Sequence, residues 1–431
     1  MKKLILSLMT ISLLILNTSA HATFVSGSTG TLGAFNPTTN TVVALPSDGI
    51  LNYTTINIPS GITVTFTKNA ANTPVYMLAS GDVVIGGTIN ISGSNSSLTV
   101  SGTGGPGGWD GGYPGLTTSP SGSGLGPGGG SPGGAGGGFG TAGGVYYSGV
   151  GGVTYGNARM LPLTGGSGGG GSDWNGTDGN GSGSGGGGAI VVASSGTINL
   201  YGSITANGGS SDLGGYYRHN GGGGSGGGIK LVANVITGNG TISATGGIAW
   251  RGGNGGAGRI RLEALTNTWT AATDPPYSYG LPSSVFVPSV PRLAITSVGG
   301  AVPPATPTGN YNQPDIFLPN TTANPVAVNV SATNIPDGTT VTVRVIPQYG
   351  IATSVDAIIS GSTATADVNL STTYSNVVTA QATFTVVVMY YNGEEIDKVR
   401  VAATLGGKSE TTYITKSGKE IKGELLTALM K

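Results

Sequence analysis

The fold of this chain is decided by the stretch AIVVASSGTINLYGSITANGG at 189–209, which recurs as IKLVANVITGNGTISATGG at 229–247. A third copy opens as IRLEA at 260–264. Each full copy has three short runs of Val, Ile, Leu and Thr separated by Gly or Asn, and each ends in a glycine-rich excursion. Repeats of short strands without a helix predict a right-handed parallel β-helix, in which each copy stacks on the one before it.

Aligning the copies on the Ala that ends their first run puts the basic residues Lys230 and Arg261 at one position, facing outward. Ile190 and Val192 also face outward in this alignment, so another part of the chain, such as the insert that precedes them, must cover them. The same alignment places a set of apolar side chains inside the coil: Val191, Leu231, Leu262, Ile198, Ile204, Ile236 and Ile242.

The chain begins with an export signal. Lys2 and Lys3 precede a short apolar run at 4–16, and Ala20-His21-Ala22 is a small-x-small cleavage site. The run is too short to span a bilayer, and no later stretch is long and apolar enough to do so. We therefore expect a protein exported across the inner membrane, with no transmembrane segment, that works outside the cell, at its surface or in the periplasm.

Composition narrows the classes of function. The chain has 83 Gly among 431 residues, 8% charged residues and a formal net charge of zero. So little charge argues against binding to nucleic acid. There is no Cys, and after removal of the signal only one His remains, so we expect no transition-metal site and no cofactor.

Pattern and composition divide the chain into an export signal, N-terminal β-helix strands, a glycine-rich insert, C-terminal β-helix strands, a linker, an immunoglobulin-like β-sandwich and a tail: 1–22, 23–101, 102–188, 189–265, 266–291, 292–405 and 406–431. Short alternating strands separated by turns such as Pro336-Asp337-Gly338 predict the sandwich. In the tail, Ile421, Leu425, Leu426 and Leu429 fit one face of a helix.

The glycine-rich tracts leave two interpretations open. Tracts without side chains can pack as bundled polyglycine helices, whose backbones approach closely and hydrogen-bond to one another. They can also be flexible loops, which is the usual behaviour of Gly-rich segments.

Four segments carry a resemblance to a known group of proteins: 48–53, 58–66, 81–89 and 258–264. They resemble a recurring module of uncharacterised glycine-rich proteins secreted by Gram-negative bacteria, whose architecture is similar to that of the pectin-lyase-like β-helices. The resemblance covers about residues 45–265. The resemblance implies a β-helix. Because pectin-lyase-like β-helices include both polysaccharide-degrading enzymes and adhesins, either function is expected. No catalytic residue carries over from the resemblance.

Catalytic motifs are weak throughout. The single remaining His219 lies in a glycine-rich loop, and the two Gly-x-Ser-x-Gly matches do not lead from a strand into a helix. We assign no catalytic and no metal-binding residue. A polysaccharide-active enzyme stays open as an alternative, because coiling could bring Lys230, Arg259, Arg261 and Glu263 beside other carboxylates. The other reading is that Lys230 and Arg261 form an outward ladder, flanked by Arg259 and Glu263, whose charges pair on the outer face as part of the structure.

Aromatic residues in the glycine-rich loops are the best candidates for binding a ligand, because exposed rings beside polar groups suit the faces and hydroxyls of sugars. The alternative is that these rings fix the loops by packing on glycine backbone. The candidates are Trp109, Asp110, Tyr113, Trp174, Tyr216, Tyr217 and Arg218.

Three functions remain on the sequence alone. The first is a structural or adhesive protein that binds an extracellular polysaccharide or a cell-surface glycan. The second is a β-helix lyase or hydrolase, and the third is a passive matrix or filament component that self-associates.

Overall fold

The computed structural model describes residues 23–116, 119–173, 181–211, 221–283, 285, 292–305, 307–333, 335–382, 389–391, 394–403, 409–415 and 417–422. Regular structure in these ranges is entirely β, with no helix. The all-β prediction is therefore confirmed for the part of the chain that the structure describes.

The first fourteen strands precede the antiparallel sheets that are described below. Their bounds are β1 Thr41–Ala44, β2 Ile50–Tyr53, β3 Ile56–Ile58, β4 Thr63–Thr67, β5 Val75–Ala79, β6 Val83–Ile85, β7 Thr88–Asn90, β8 Ala189–Leu200, β9 Ser203–Thr205, β10 Gly228–Gly238, β11 Thr241–Ser243, β12 Arg259–Asn267, β13 Thr273–Asp274 and β14 Ser278–Gly280.

These strands form two sheets in which every pair is parallel. One sheet has the order β1-β4-β7-β9-β11-β13. The other has the order β14-β12-β10-β8-β5-β2, with β3 and β6 continuing it beside β8. The chain passes repeatedly from one sheet to the other. Later strands therefore lie beside earlier strands of the same sheet. Two of these strands, β13 and β14, lie in the segment that the sequence analysis treats as a linker.

The register of the repeats confirms part of the predicted alignment and corrects the rest. Ile236 pairs with Ile198, as predicted. However, Leu231 pairs with Val192 and not with Val191, so the alignment on Ala193 and Ala233 is wrong by one residue. The register shifts beyond Ala233, where the first copy has one more residue than the second. Because a shift of one residue exchanges the two faces of a strand, Ile190 and Val192 point into the core.

The two parallel sheets enclose one apolar core. Aliphatic side chains from successive circuits stack in rows, as in Val64, Ile89, Ile204 and Ile242 of the six-stranded sheet. Met160 and Leu163 of the glycine-rich insert cover the outer face of the eight-stranded sheet at Val191, so the insert does cover this sheet, but not at Ile190 and Val192 as predicted.

The glycine-rich tracts are hydrogen-bonded to one another with a period of three residues. Successive amides of 183–188 donate in turn to carbonyls of 109–112, 222–225 and 91–94, and every third amide returns to the same tract. Residues 221–227 show the same pattern toward three tracts of their own. Three residues per turn is the repeat of a polyproline-II-type helix, so these tracts form bundled extended helices and the first of the two interpretations holds for them.

We call this region the glycine bundle: 91–116, 121–173, 181–188, 206–211, 221–227 and 244–258. Glycine is required because neighbouring backbones touch. A Cβ atom at Gly224 would overlap the carbonyl oxygen of Gly185, and one at Gly183 would overlap that of Gly169. The tracts end directly at β8, β10 and β12, so the bundle is continuous with the parallel sheets.

Six further strands form two antiparallel three-stranded sheets, β15-β16-β19 and β18-β17-β20, around a second apolar core. Alternate residues of β16 and β19 are buried, which is the period-2 pattern that predicted them. The bounds are β15 Arg292–Val298, β16 Val326–Thr333, β17 Thr340–Pro347, β18 Thr353–Ile358, β19 Thr363–Val368 and β20 Asn376–Ala382.

The last four strands form a separate antiparallel sheet in the order β21-β22-β23-β24. Ile421 lies in the last strand, so the predicted helix of the tail is wrong for the described residues; Leu425, Leu426 and Leu429 lie outside them. The bounds are β21 Met389–Tyr391, β22 Glu394–Ala403, β23 Ser409–Thr415 and β24 Glu420–Lys422.

Close backbone contact in the glycine bundle gives the first prediction. The substitution G224A should lower the free energy of unfolding by more than about 3 kcal/mol, because the added methyl group has no room against backbone. Urea denaturation of the purified chain, followed by circular dichroism, measures the loss.

The matched control is G300A, in the sandwich. Gly300 has a φ of 82° and nothing within 4 Å of an added Cβ, so it tests backbone strain without overlap. We expect it to cost about 1 kcal/mol. Equal effects of the two substitutions would contradict the close packing of the bundle.

Candidate functional site

The predicted binding residues divide into two groups. Trp109, Asp110 and Tyr113 lie in the described part of the chain, within the glycine bundle. Trp174 and the run Tyr216-Tyr217-Arg218 lie outside the described residues. Only the first group can therefore be compared with the prediction.

Trp109 and Asp110 hold the bundle together. The Trp109 ring is half-buried and meets the ring of Tyr155 edge-on, with their centroids 6.1 Å apart. Asp110 pairs with Lys68 at 3.2 Å and accepts a hydrogen bond from the Gly104 amide at 2.7 Å. Both residues therefore pack against or bond to the protein itself, as the alternative interpretation of the loop aromatics expects.

Tyr113 joins the bundle to the sandwich. Its ring lies 5.6 Å from that of Tyr311 and 5.9 Å from that of Tyr349. At the same contact the guanidinium of Arg344 donates hydrogen bonds to the carbonyls of Gly126 and Gly129. Tyr113 thus belongs to an internal interface, and the sequence cannot show this because its partners lie in a different domain.

Lys230, Arg261 and Glu263 form a buried cluster on the outer face of the eight-stranded sheet. Lys230 and Arg261 are paired in register, as predicted, but only 2% and 7% of their surfaces are exposed. Glu263 lies 3.0 Å from the Lys230 ammonium and 3.0 Å from Nε of Arg261. The two basic residues lie on the outer face, as predicted, and Glu263 and the segment around Ser283 cover them there.

Neighbouring charges and a hydrogen bond favour the ionised form of Glu263. Burial alone would raise the pKa of Glu263, but the Lys230 ammonium, the Ser283 hydroxyl and the Arg261 guanidinium together hold it below its ordinary value. Burial lowers the pKa of Lys230, and Glu263 opposes that change. The Ser283 hydroxyl donates to Glu263 at 2.6 Å, and Arg261 also donates to the Tyr279 carbonyl at 2.8 Å. The cluster therefore fastens the chain after β14 onto the sheet.

This cluster gives the second prediction. The substitution E263Q leaves two buried cations without a counter-charge and should cost about 3–5 kcal/mol of stability. The control K230M keeps the contact between Arg261 and Glu263, so it should cost less. Urea denaturation at neutral pH compares the two variants, and a larger loss in K230M would contradict the assignment.

The acid dependence of stability tests the same cluster. Because the folded-state pKa of Glu263 is below its ordinary value of 4.5, its contribution is complete above that pH and is lost as pH falls through the folded pKa. E263Q should lack this part of the acid loss. The lowered pKa of Lys230 adds a separate rise of stability with pH, which ends at its ordinary value of 10.5.

Exposed rings occur at two turns of the bundle. The tracts turn back there, at 145–149 and at 249–254. Reciprocal backbone bonds between Tyr146 and Gly149 close the first turn, and the Ala249 amide bonds to Oδ1 of Asn254 at 2.8 Å in the second. The Gly144 amide donates to the carbonyl of Asn254 at 2.7 Å, which joins the two turns.

These two turns form a cluster that we call the aromatic tip. Tyr147 is 75% exposed and Trp250 is 59% exposed. Tyr147 and Arg251 have φ of 46° and 60°, so each turn holds a left-handed residue at the point where a side chain projects. The tip comprises Val145, Tyr146, Tyr147, Val150, Ile248, Trp250 and Arg251.

The tip combines flat apolar surface with a cation. The rings of Tyr146 and Tyr147 meet edge-on, with centroids 4.8 Å apart. Burial and Tyr147 raise the pKa of Tyr146, and the nearby Arg251 opposes this, so the guanidinium lies within electrostatic range of the rings. Rings beside hydrogen-bond donors can stack on the apolar face of a sugar and bond to its hydroxyls.

The sequence analysis does not identify this tip, although one signal was available. Trp250-Arg251 lies in the glycine-rich excursion that follows the second repeat. Tyr217-Arg218 lies at the corresponding place in the excursion that follows the first repeat. Comparing the excursions as repeats, and not only the strands, would have nominated Trp250.

Comparison with protein-family models, with curated proteins and with solved structures finds no significant match. Within the described ranges, no three His, Cys, Asp or Glu side chains are grouped so as to hold a metal ion. The same residues include no helix that is long and apolar enough to cross a membrane.

Proposed function

We propose that this chain is an exported adhesive protein that binds extracellular glycans through its aromatic tip. The observation that carries the proposal is the exposure of Tyr147 and Trp250 on adjoining turns of a hydrogen-bonded bundle. Exposed aromatic side chains at the end of a rigid support are arranged for contact with a partner and not for the protein's own core.

The finer architecture belongs to the same proposal. We assign the two parallel sheets to successive coils of one β-helix. We take this helix as right-handed because crossovers between parallel strands almost always are. The two antiparallel sheets that share a core become an immunoglobulin-like sandwich. The resemblance to glycine-rich secreted proteins with pectin-lyase-like architecture supports both export and the β-helix.

Sugar rings suit the tip chemically. Their hydroxyls favour neutral or charged donors such as Arg251, and their C–H faces favour the rings of Tyr147 and Trp250. The two turns are fixed by backbone bonds, so little conformational entropy is lost when a ligand binds. Two rings held in this way give a specific although modest binding energy.

The enzymatic alternative has less support. Its candidate groups Lys230, Arg261 and Glu263 are buried and bonded to one another, so they do not line a groove that could hold a polymer. The filament alternative remains distinguishable by experiment, because it requires self-association in the absence of any glycan.

The third prediction tests the tip. The double substitution Y147A/W250A should weaken retention on a polysaccharide by about 5- to 150-fold, since each ring contact contributes on the order of 0.5–1.5 kcal/mol. Binding to a panel of immobilised neutral and acidic polysaccharides, with the released sugar assayed for new reducing ends and unsaturated products, provides the measurement.

The matched control is Y201A, which removes a ring that is 60% exposed at a corner of the parallel sheets, outside the bundle. It should retain wild-type binding. Equal binding by Y147A/W250A would show that the tip is not the site, and new products would show an enzyme. Sedimentation of the wild-type chain without glycan tests the filament, which predicts assemblies where the adhesive protein stays monomeric.

A further inference from the structure

The outer face of the six-stranded sheet carries an ordered array of small uncharged side chains. Four neighbouring strands each point two of them outward, and the inward residue between them is apolar. We call these eight residues the hydroxyl face: Thr63, Thr65, Thr88, Asn90, Ser203, Thr205, Thr241 and Ser243.

The array has two rows that run across the strands. Thr63, Thr88, Ser203 and Thr241 are paired in register and form the first row. The register pairs Asn90, Thr205 and Ser243 in the second row, which Thr65 extends on β4. Seven of the eight residues carry a hydroxyl group, so the face is almost uniform in its chemistry.

Core packing beneath the hydroxyl face and hydrogen bonds between its side chains hold these side chains in place. Beneath it the inward row from Val64 to Ile242 is buried in the core. Along it, the hydroxyls of Thr88 and Ser203 lie 2.9 Å apart, and the Thr205 hydroxyl donates to Asn90 at 3.0 Å. A hydroxyl has one donor and two acceptor positions, so these bonds fix the side chains and still leave acceptors facing outward.

The spacing of the array is set by the geometry of a parallel sheet. Neighbouring strands lie about 4.8 Å apart, and alternate residues of a strand lie about 6.6 Å apart. Tetrahedral water with oxygens about 2.75 Å apart repeats at about 4.5 Å in one direction and about 7.3 Å in the perpendicular one. Across the three strand intervals of the face, the mismatch with the shorter repeat grows to about 1 Å, and the one interval along each strand differs from the longer repeat by about 0.7 Å.

We propose that the hydroxyl face binds a crystal plane of ice. A flat polar array commensurate with the repeat of solid water can hold water molecules in lattice positions. Charged groups would instead keep the hydration shell of the liquid, and none of the eight residues is charged. The neighbouring strand β13 places one carboxylate, that of Asp274, beside Ser243 at the edge of the face. Crystalline polysaccharide is disfavoured as the occupant, because the eight residues include no ring on which a sugar could stack.

The test is the gap between the melting and freezing temperatures of a single ice crystal in a solution of the purified chain without its export signal. The wild-type chain should hold the crystal unchanged over a measurable interval. T65K and T241K each place a long charged side chain on the face without altering the buried row, and should reduce the interval to that of buffer.

The matched control is N57K, on an exposed position of β3 in the other parallel sheet, which should keep the interval. The thermal unfolding temperature of each protein variant verifies that the variant folds. An interval no larger than that of buffer for the wild-type chain overturns the proposal, as does full retention in T65K and T241K. The variant Y147A/W250A should keep the interval, so this inference and the glycan proposal stand or fall separately.

Discussion

The structure depends on hydrogen bonds between glycine backbones that touch. In an ordinary domain, apolar side chains fill the space between elements, but here the tracts at 165–172, 183–188 and 221–227 are satisfied by neighbouring backbones in three directions. Glycine is the only residue that allows this distance, as the overlap at Gly224 shows. The bundle therefore needs no hydrophobic core of the usual kind, and no disulfide, to hold more than one hundred residues in place.

The same constraint decides where side chains can be placed. Inside the bundle a side chain displaces backbone, so large residues occur where tracts end or meet another part of the chain. Trp109 and Tyr113 lie where the bundle meets its own flank and the sandwich, and they are used for packing. Tyr147 and Trp250 lie where tracts turn back, and they are exposed. Within the bundle, exposed rings therefore lie at the turns.

Much of the β architecture follows from sequence, because strand patterning is local. The parallel repeats and the inward positions of Ile198, Ile204, Ile236 and Ile242 come directly from alternation and repetition. The position of Val191 was wrong, because aligning Ala193 with Ala233 displaces the register by one residue and so exchanges the two faces of the strand. The pairing of Lys230 with Glu263 follows from the aligned repeats. The contact of Lys230 with Ser283 and the packing of Tyr113 on Tyr311 were not predictable, since these partners come from distant segments whose placement depends on the whole fold.

Rigidity is what the aromatic tip and the hydroxyl face have in common. Each contact available to them, a ring on a sugar or a hydroxyl on a water molecule, is individually weak. Weak contacts add up only if the groups that make them are already in position, because otherwise the entropy of ordering them cancels the gain. A bundle bonded through its backbone, continuous with stacked parallel strands, fixes these groups before any ligand arrives. Because glycine leaves the interior of the bundle without side chains, the backbones bond closely. This bonding holds the few side chains at the surface in fixed positions.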